Sequence, residues 1–356
     1  FRIFIPEEYE GLGGGCLELC LVVEELSRVC SAVAVSYAAS ALGSFTLMKY
    51  GTEAQKQKYL PDIASGKRLA AFALTEPTAG SDASAIKMTA DRVEGGYMLN
   101  GTKQFITNGG EAEIYTVIAL TDKTRGARGA SALLVEKDTP GFSFGRKEKK
   151  MGIRASATRE LVFEDCLVPE ENIIGKEGMG FIATMKLFDW SRPGVGAQAL
   201  GLAQGALEAS VAYARQRIQF GHPIISLQAV QHMLADMAIQ VEAARALLYA
   251  AARTIDSGDK KATEESAMAK VFASDIAMKV TTDALQIFGG VGYMRDYPIE
   301  KMFRDAKITQ IYEGTNQVLK NEIAFEPRKR KGIRIEQYQA KVLAEGAKPI
   351  LVFYPV

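Results

Sequence analysis

Phe72-Ala73-Leu74-Thr75-Glu76-Pro77-Thr78-Ala79-Gly80-Ser81-Asp82 changes character halfway along. Its apolar opening belongs to the run Ala70–Leu74 and reads as a β-strand. Pro77 and Gly80 then break the strand into a turn rich in hydroxyls and backbone N–H groups. Two readings fit such a turn: an ordinary hairpin loop, or a cradle for a polar cofactor. The flanking sequence decides the architecture. Tyr97–Leu99, Ile114–Leu120, Ala132–Val135 and Glu160–Phe163 are further short β-type runs, separated by Gly, Asp and Asn turns. No helical pattern intervenes, which predicts an antiparallel sheet or barrel-like domain ending near Ile174.

Upstream, residues 7 to about 65 carry helical periodicity, and Gly51 followed by Thr52-Glu53-Ala54-Gln55 predicts a loop and a capped helix start. Gly11-Leu12-Gly13-Gly14-Gly15 lacks the last glycine of a dinucleotide fingerprint and follows no strand, so it reads as a loop. Val29 to Met48 is twenty residues without a charge, but it is rich in Ala and Ser, with Ser36, Ser40 and Ser44 on one helical face. A buried helix with a polar stripe fits better than a membrane span.

After Gly180 the chain is almost wholly helical. Phe181 to Ala214 is one helix. Val230, Met233, Met237, Val241, Ala244, Leu248 and Ala251 form a core stripe, and Met268, Phe272, Ile276, Val280, Ala284 and Phe288 form another at four-residue steps. The expected fold is α+β and multi-domain. It comprises a helical domain over 1–68, a central antiparallel β domain over 69–174 and a carboxy-terminal four-helix bundle over 175–324. An atypical tail over 325–356 follows, with Arg328-Lys329-Arg330-Lys331 near its start.

Composition narrows the function. Lys+Arg 43 against Asp+Glu 42 gives no electrostatic case for nucleic acid or acidic membranes as partners. Cys16, Cys20, Cys30 and Cys166 do not form a disulfide framework, which favours a reduced compartment. With His222 and His232 the only histidines, neither near a cysteine cluster, no metal site is expected. No Gly-x-Ser-x-Gly elbow is present, and a serine hydrolase has little support.

One further stretch carries chemistry: Ile308-Thr309-Gln310-Ile311-Tyr312-Glu313-Gly314-Thr315-Asn316-Gln317. An apolar run delivers Glu313 to a position followed at once by a glycine. A carboxylate among apolar neighbours should have a raised pKa, which suits a general base, and Gly314 lets a ligand approach the backbone. The alternative is a solvated glutamate in a surface turn.

Ile311-Tyr312-Glu313-Gly314-Thr315 resembles the active-site segment of the acyl-CoA dehydrogenases, flavoenzymes that oxidise acyl-CoA thioesters between Cα and Cβ. The helical–β–helical order is similar to that family's from about Ile5 to Ala324, although the helices that normally open the family do not precede Ile5. The resemblance implies that Glu313 is the catalytic base. It implies that Phe72, Leu74, Thr75, Gly80 and Ser81 lie against the FAD, Ser81 also touching the CoA substrate. Phe105-Ile106-Thr107 is similar to the second flavin-contact segment, with Phe105 where many members have Trp. Arg217 and Phe220 of Arg-Ile-Gln-Phe-Gly, then Gln228, resemble residues that reach the FAD of a neighbouring subunit. Gln286-Ile287-Phe288-Gly289-Gly290 would border the same adenine-diphosphate portion, although on its own it is an ordinary helix cap. Thr315, Asn316 and Gln317 would complete the cofactor contacts.

For the substrate, the resemblance assigns Tyr312 and Gly314, together with Asp189 and Arg192 of Asp-Trp-Ser-Arg as CoA contacts. Ser191 stands where long-chain and isovaleryl members carry their catalytic Glu, which leaves the base at Glu313. Trp190 has no role beyond packing. The implied activity is FAD-dependent dehydrogenation of an acyl-CoA to the trans-2-enoyl-CoA, with electrons passed to an electron-transferring flavoprotein. A homotetramer, a dimer of dimers, in the bacterial cytoplasm or mitochondrial matrix would follow. The helix matching the acyl-pocket wall, Val29–Met48, has no Lys or Arg, so the tail should be neutral. The base at Glu313 favours the short- and medium-chain branches, while Ala38, Ala39 and Ala41 leave room for a longer, branched or cyclic tail. The rivals are an acyl-CoA oxidase and a non-catalytic scaffold that keeps the fold.

Overall fold

The computed structural model describes residues 1–259 and 262–329, so most of the tail, 330–356, lies outside the described residues. The chain opens with short 3-10 turns and the Gly11–Gly15 loop, then enters α1 (Cys16–Tyr50), a long helix kinked at Cys30, where φ is −151° and ψ 101°. α2 (Glu53–Ala64) starts at the capping box expected from Thr52 and Gln55. Gln55 N–H donates to Thr52 Oγ1 at 3.2 Å, and Thr52 N–H donates to Gln55 Oε1 at 2.9 Å.

A single eight-stranded sheet follows: β1 (Ala70–Ala73), β2 (Thr89–Val93), β3 (Gly96–Thr107), β4 (Ile114–Leu120), β5 (Ala130–Glu136), β6 (Phe142–Lys147), β7 (Thr158–Pro169) and β8 (Ile173–Ile174). The order is β6-β7-β3-β2-β4-β5-β8, with β1 beside β4. Most pairings are antiparallel. β1 against β4, and the single contact of β2 with β4, are parallel, which the expectation of an antiparallel sheet did not contain. Period-two alternation specifies which face is buried but not the direction of a neighbour.

The remaining described residues are mostly helical: α3 (Gly180–Gln216), then a hairpin of two two-residue strands over Ile218–Pro223, α4 (Gln228–Asp256), α5 (Ala262–Phe288), α6 (Ile299–Thr309) and α7 (Asn316–Lys329). The α4 stripe lies inward from Met237 to Ala251. The α5 stripe does not run straight: Phe272 is 39% exposed, and Ala269, Ala273 and Ala277 take the buried positions instead. Four-residue steps advance about 40° beyond a full turn each time, so a stripe drawn that way winds round the helix.

α1 is the element that places the site. Its carboxy-terminal half lies on the sheet, where a Cβ at Gly43 would come within 2.6 Å of the Ala71 backbone, and Thr116 Oγ1 donates to the Gly43 carbonyl at 2.8 Å. Its amino-terminal half crosses α3 closely because Gly201 and Gly205 have no side chains; a Cβ there would meet the Glu24 and Arg28 carbonyl oxygens at 2.1 and 2.3 Å. The uncharged segment therefore forms a wall between sheet and bundle. It is not buried throughout, for Val29 is 74% exposed. Among the described residues no helix is long and apolar enough to cross a membrane.

Candidate active site

Glu313 sits in the short loop between α6 and α7. Its own φ is 55° and that of Gly314 is 90°, so the chain passes through the left-handed region twice in succession. Glycine does this readily; a residue with a side chain does so at a cost of roughly 1–3 kcal/mol, which the surroundings must offset. The carboxylate faces the cavity, where Ser191 Oγ donates to Glu313 Oε2 at 2.9 Å. Burial raises the Glu313 pKa above the ordinary carboxylate value. The Ser191 hydrogen bond and the positive charges of Arg192 and Lys270 oppose that rise without cancelling it. The Glu313 N–H has no acceptor among the described residues. The neighbouring Tyr312 hydroxyl donates to Gln198 Oε1, and Gln198 Nε2 donates to Ser31 Oγ at 2.8 Å, which ties the loop to α3 and α1.

The cavity in front of Glu313 holds about 420 Å³. Val35, Ala38, Ala39 and Leu42 of α1 and Val195 of α3 form its apolar side. Phe72, Leu74, Thr75, Gly80, Ser81, Phe105, Ile106 and Thr107 all border it from the sheet. Phe105 has φ 59° and lies beside a register shift between β3 and β7, from Lys103 to Ile106. Such a bulge turns a side chain out of its place in the alternation; Phe105 is 59% exposed.

The two sheet segments that flank this mouth are clamped by residues the sequence did not single out. Lys103 Nζ, wholly buried, donates to the Leu74 carbonyl at 2.9 Å and to Glu76 Oε1 at 2.8 Å. Glu76 also accepts from the N–H groups of Lys87 and Met88, at 2.6 and 3.0 Å. Gln104 N–H donates to the Thr75 carbonyl at 2.8 Å. Burial pulls the Lys103 pKa down to about 8, against the opposing pull of Glu76. In sequence, both look like ordinary charged residues 27 positions apart.

A second cavity, of about 590 Å³, lies at the far end of the bundle between Arg217 and the turn after α5. Arg217, Ile287, Phe288, Gly289 and Gly290 border it. A Cβ at either glycine would meet nothing within 4 Å, and Arg217 makes no ion pair among the described residues. Phe220 (84% exposed), Gln228 and Gln286 lie on the surface outside it. The expected cofactor residues therefore fall into two separate groups within one chain.

Asn316 departs from expectation. Its side chain is buried under the loop, donating to Ser274 Oγ and Asp275 Oδ1 at 2.9 and 2.8 Å and accepting from Lys270, so it has no free group to offer a cofactor. Thr315 Oγ1 accepts from Val318 N–H at 3.3 Å, as a cap for α7, and Gln317 is exposed. Arg192, expected as a CoA contact, is 5% exposed and forks onto Glu322 at 2.6 and 3.1 Å; its charge is already met. Asp189 accepts from Thr263 Oγ1 at 2.9 Å. Trp190 packs its ring on Phe45, centroids 4.7 Å apart. Among the described residues no cluster of three His, Cys, Asp or Glu could hold a metal.

These features recur in known proteins. Residues 1–67, 71–166 and 178–326 match the family descriptions "Acyl-CoA dehydrogenase, N-terminal domain", "middle domain" and "C-terminal domain". A curated relative, acryloyl-CoA reductase (NADH) of Anaerotignum propionicum, is 53% identical over 92% of this chain and 84% of its own. Butyryl-CoA dehydrogenase from Megasphaera elsdenii superposes with a TM-score of 0.89 at 48% identity, covering 91% of this chain and 86% of that one. A chain solved in work on the electron-transferring flavoprotein of Acidaminococcus fermentans superposes with a TM-score of 0.90 at 52% identity, covering 93% and 87%.

Proposed function

Because the chain belongs to the acyl-CoA dehydrogenase family, we propose that Glu313 takes the proton from Cα of a neutral, short- to medium-chain acyl-CoA as the substrate is oxidised to the trans-2-enoyl-CoA. The observation that carries the reading is the carboxylate itself: desolvated, raised in pKa, fixed by Ser191, and facing a cavity with an apolar wall on one side and the Phe72–Ser81 and Phe105–Thr107 segments on the other. The Glu313 N–H, with no acceptor among the described residues, is free to polarise the thioester carbonyl and acidify Cα. Ser191 aims the carboxylate. The apolar side keeps water from the base.

FAD fits the residues present. The Phe105 ring, turned into the cavity mouth, offers a flat apolar face, and Thr107 a hydroxyl beside it. When bound, FAD supplies the hydride acceptor for Cβ. Arg217, with no ion pair among the described residues, and the open glycines 289 and 290 suit a diphosphate. Since they border a cavity separate from that of Glu313, a second copy of the chain would complete each cofactor site. Exposed Phe220 and Tyr293, at 84% and 77%, suit burial against another copy, and the assembly we infer is a homotetramer, a dimer of dimers. Arg217→Ala should weaken flavin retention by about 10-fold or more, from loss of a charge-assisted contact, as read by flavin released on dialysis. Full retention would remove Arg217 from the cofactor site.

Among the described residues Arg192 is the only Lys or Arg bordering the active-site cavity, and Glu322 already neutralises it. An acyl tail ending in a carboxylate would therefore be buried unpaired, at a cost of several kcal/mol. Butyryl-CoA and octanoyl-CoA should reduce the flavin at least 100-fold more efficiently than glutaryl-CoA in anaerobic titrations. Fastest reduction by glutaryl-CoA would show that a cation reaches the tail from elsewhere.

An electron-transferring flavoprotein as redox partner is supported by the 52% identical chain from Acidaminococcus fermentans. The 53% identity to an acryloyl-CoA reductase favours a second reading, the same site run in the reductive direction on a short enoyl-CoA. NADH oxidation dependent on acryloyl-CoA and the partner flavoprotein distinguishes it. Cys16, Cys20, Cys30 and Cys166 are all free thiols, which suits a bacterial cytoplasm.

A further inference from the structure

Lys270 lies on α5 among Ala267, Ala269 and Ala273, with no exposure to solvent. A lysine so placed must have partners for its ammonium group. Its Nζ donates to the Gly314 carbonyl at 2.7 Å and to Asn316 Oδ1 at 3.0 Å. Asn316 is itself fixed. Its side chain donates to Ser274 and Asp275 on the same helix, and its backbone N–H donates to the Gln310 carbonyl at 3.1 Å. The loop is thus held at Gln310 and Asn316, on either side of Glu313, and drawn down at Gly314, where its backbone is left-handed. A side-chain-bearing residue does not adopt φ 55° by preference, so the conformation of Glu313 depends on such anchors.

Among the described residues the charges around Lys270 are few. Arg192 faces it from α3, and Glu322 of α7 already pairs with that guanidinium. Asp275, on α5, accepts from Gln310 Nε2 at 2.6 Å and has Lys320 Nζ at 3.5 Å. The remaining charged neighbour is Glu313, on the loop. We propose that Lys270 is a positioning residue for Glu313: through the Gly314 carbonyl it fixes the left-handed turn, and it sets a positive charge behind the carboxylate. It does not border the active-site cavity. The proposal rests on Glu313 being the base. Consistent with it, burial lowers the Lys270 pKa to about 8 while Glu313 pulls it upward, and Lys270 in turn opposes the rise that burial imposes on Glu313.

The test is the pH profile of flavin reduction by butyryl-CoA in the FAD-loaded protein, for wild type, Lys270→Met and Lys270→Gln. A base must be ionised to act, so the rate falls as pH falls through the Glu313 pKa. Removing the positive charge should move that acid limb upward by about one pH unit in both variants. Lys270→Met should also slow the reaction about 100-fold, because the loop loses its anchor. Lys270→Gln should recover part of that rate, since an amide can still donate to the Gly314 carbonyl, while keeping the displaced limb. If Lys270→Met fails to hold flavin, Lys270→Gln alone reads the limb. An unmoved limb in the variants that load flavin, with only the thermal midpoint lowered, would reduce Lys270 to a packing residue and overturn the proposal. Glu313→Gln measured alongside separates the two ideas. If it is active, the base assignment falls and the proposal with it. If it is inactive and the limbs are unmoved, the proposal falls alone.

Discussion

Glu313→Gln should bind flavin as wild type does and lose its reduction by acyl-CoA, the rate falling roughly 10⁴-fold or more. Glutamine keeps the shape of the side chain and an oxygen for the Ser191 hydroxyl at the position now bonded at 2.9 Å, so the loop and cavity should persist. What it cannot do is accept the Cα proton at neutral pH. Anaerobic stopped-flow absorbance of the loaded variant separates binding from chemistry. The thioester should still perturb the flavin spectrum without bleaching it. Bleaching at the wild-type rate would place the base elsewhere.

The second large effect concerns stability. Lys103→Met leaves Glu76 buried without its cation, and breaking one partner of such a pair costs about 3–5 kcal/mol. Glu76 would keep the Lys87 and Met88 N–H groups, which sets the expectation toward the lower figure. Lys103 ties β3 to the Leu74–Glu76 segment beside the cavity, so flavin content should fall together with the thermal midpoint. Adding Glu76→Gln to Lys103→Met removes both charges and should restore most of the stability. A single variant within about 0.5 kcal/mol of wild type would show that the clamp is incidental.

What could be read from the sequence was whatever is written locally. The Thr52–Gln55 capping box is a four-residue device and forms as expected. The break at Pro77 and Gly80 ends β1 within a few residues, and the apolar run before Glu313 predicts the raised pKa that the structure gives it. What could not be read depends on contacts distant in sequence. Lys103 and Lys270 are indistinguishable from surface lysines until the fold brings Glu76 and Gly314 to them. The parallel β1–β4 pair has no local signature, and Phe272 looked buried only because a four-residue step drifts from the helical period. The resemblance alone directs Asn316 toward the cofactor; the turn at Gly314 carries its side chain beneath the loop, onto Ser274 and Asp275.

The most direct measurement is an anaerobic titration of the FAD-loaded protein with butyryl-CoA, following the flavin absorbance and assaying the acyl product. The account predicts stoichiometric bleaching of the flavin with formation of the trans-2-enoyl thioester, in wild type and not in Glu313→Gln. A wild-type flavin that stays oxidised with every neutral acyl-CoA from butyryl to octanoyl, yet is reduced by dithionite, would contradict it.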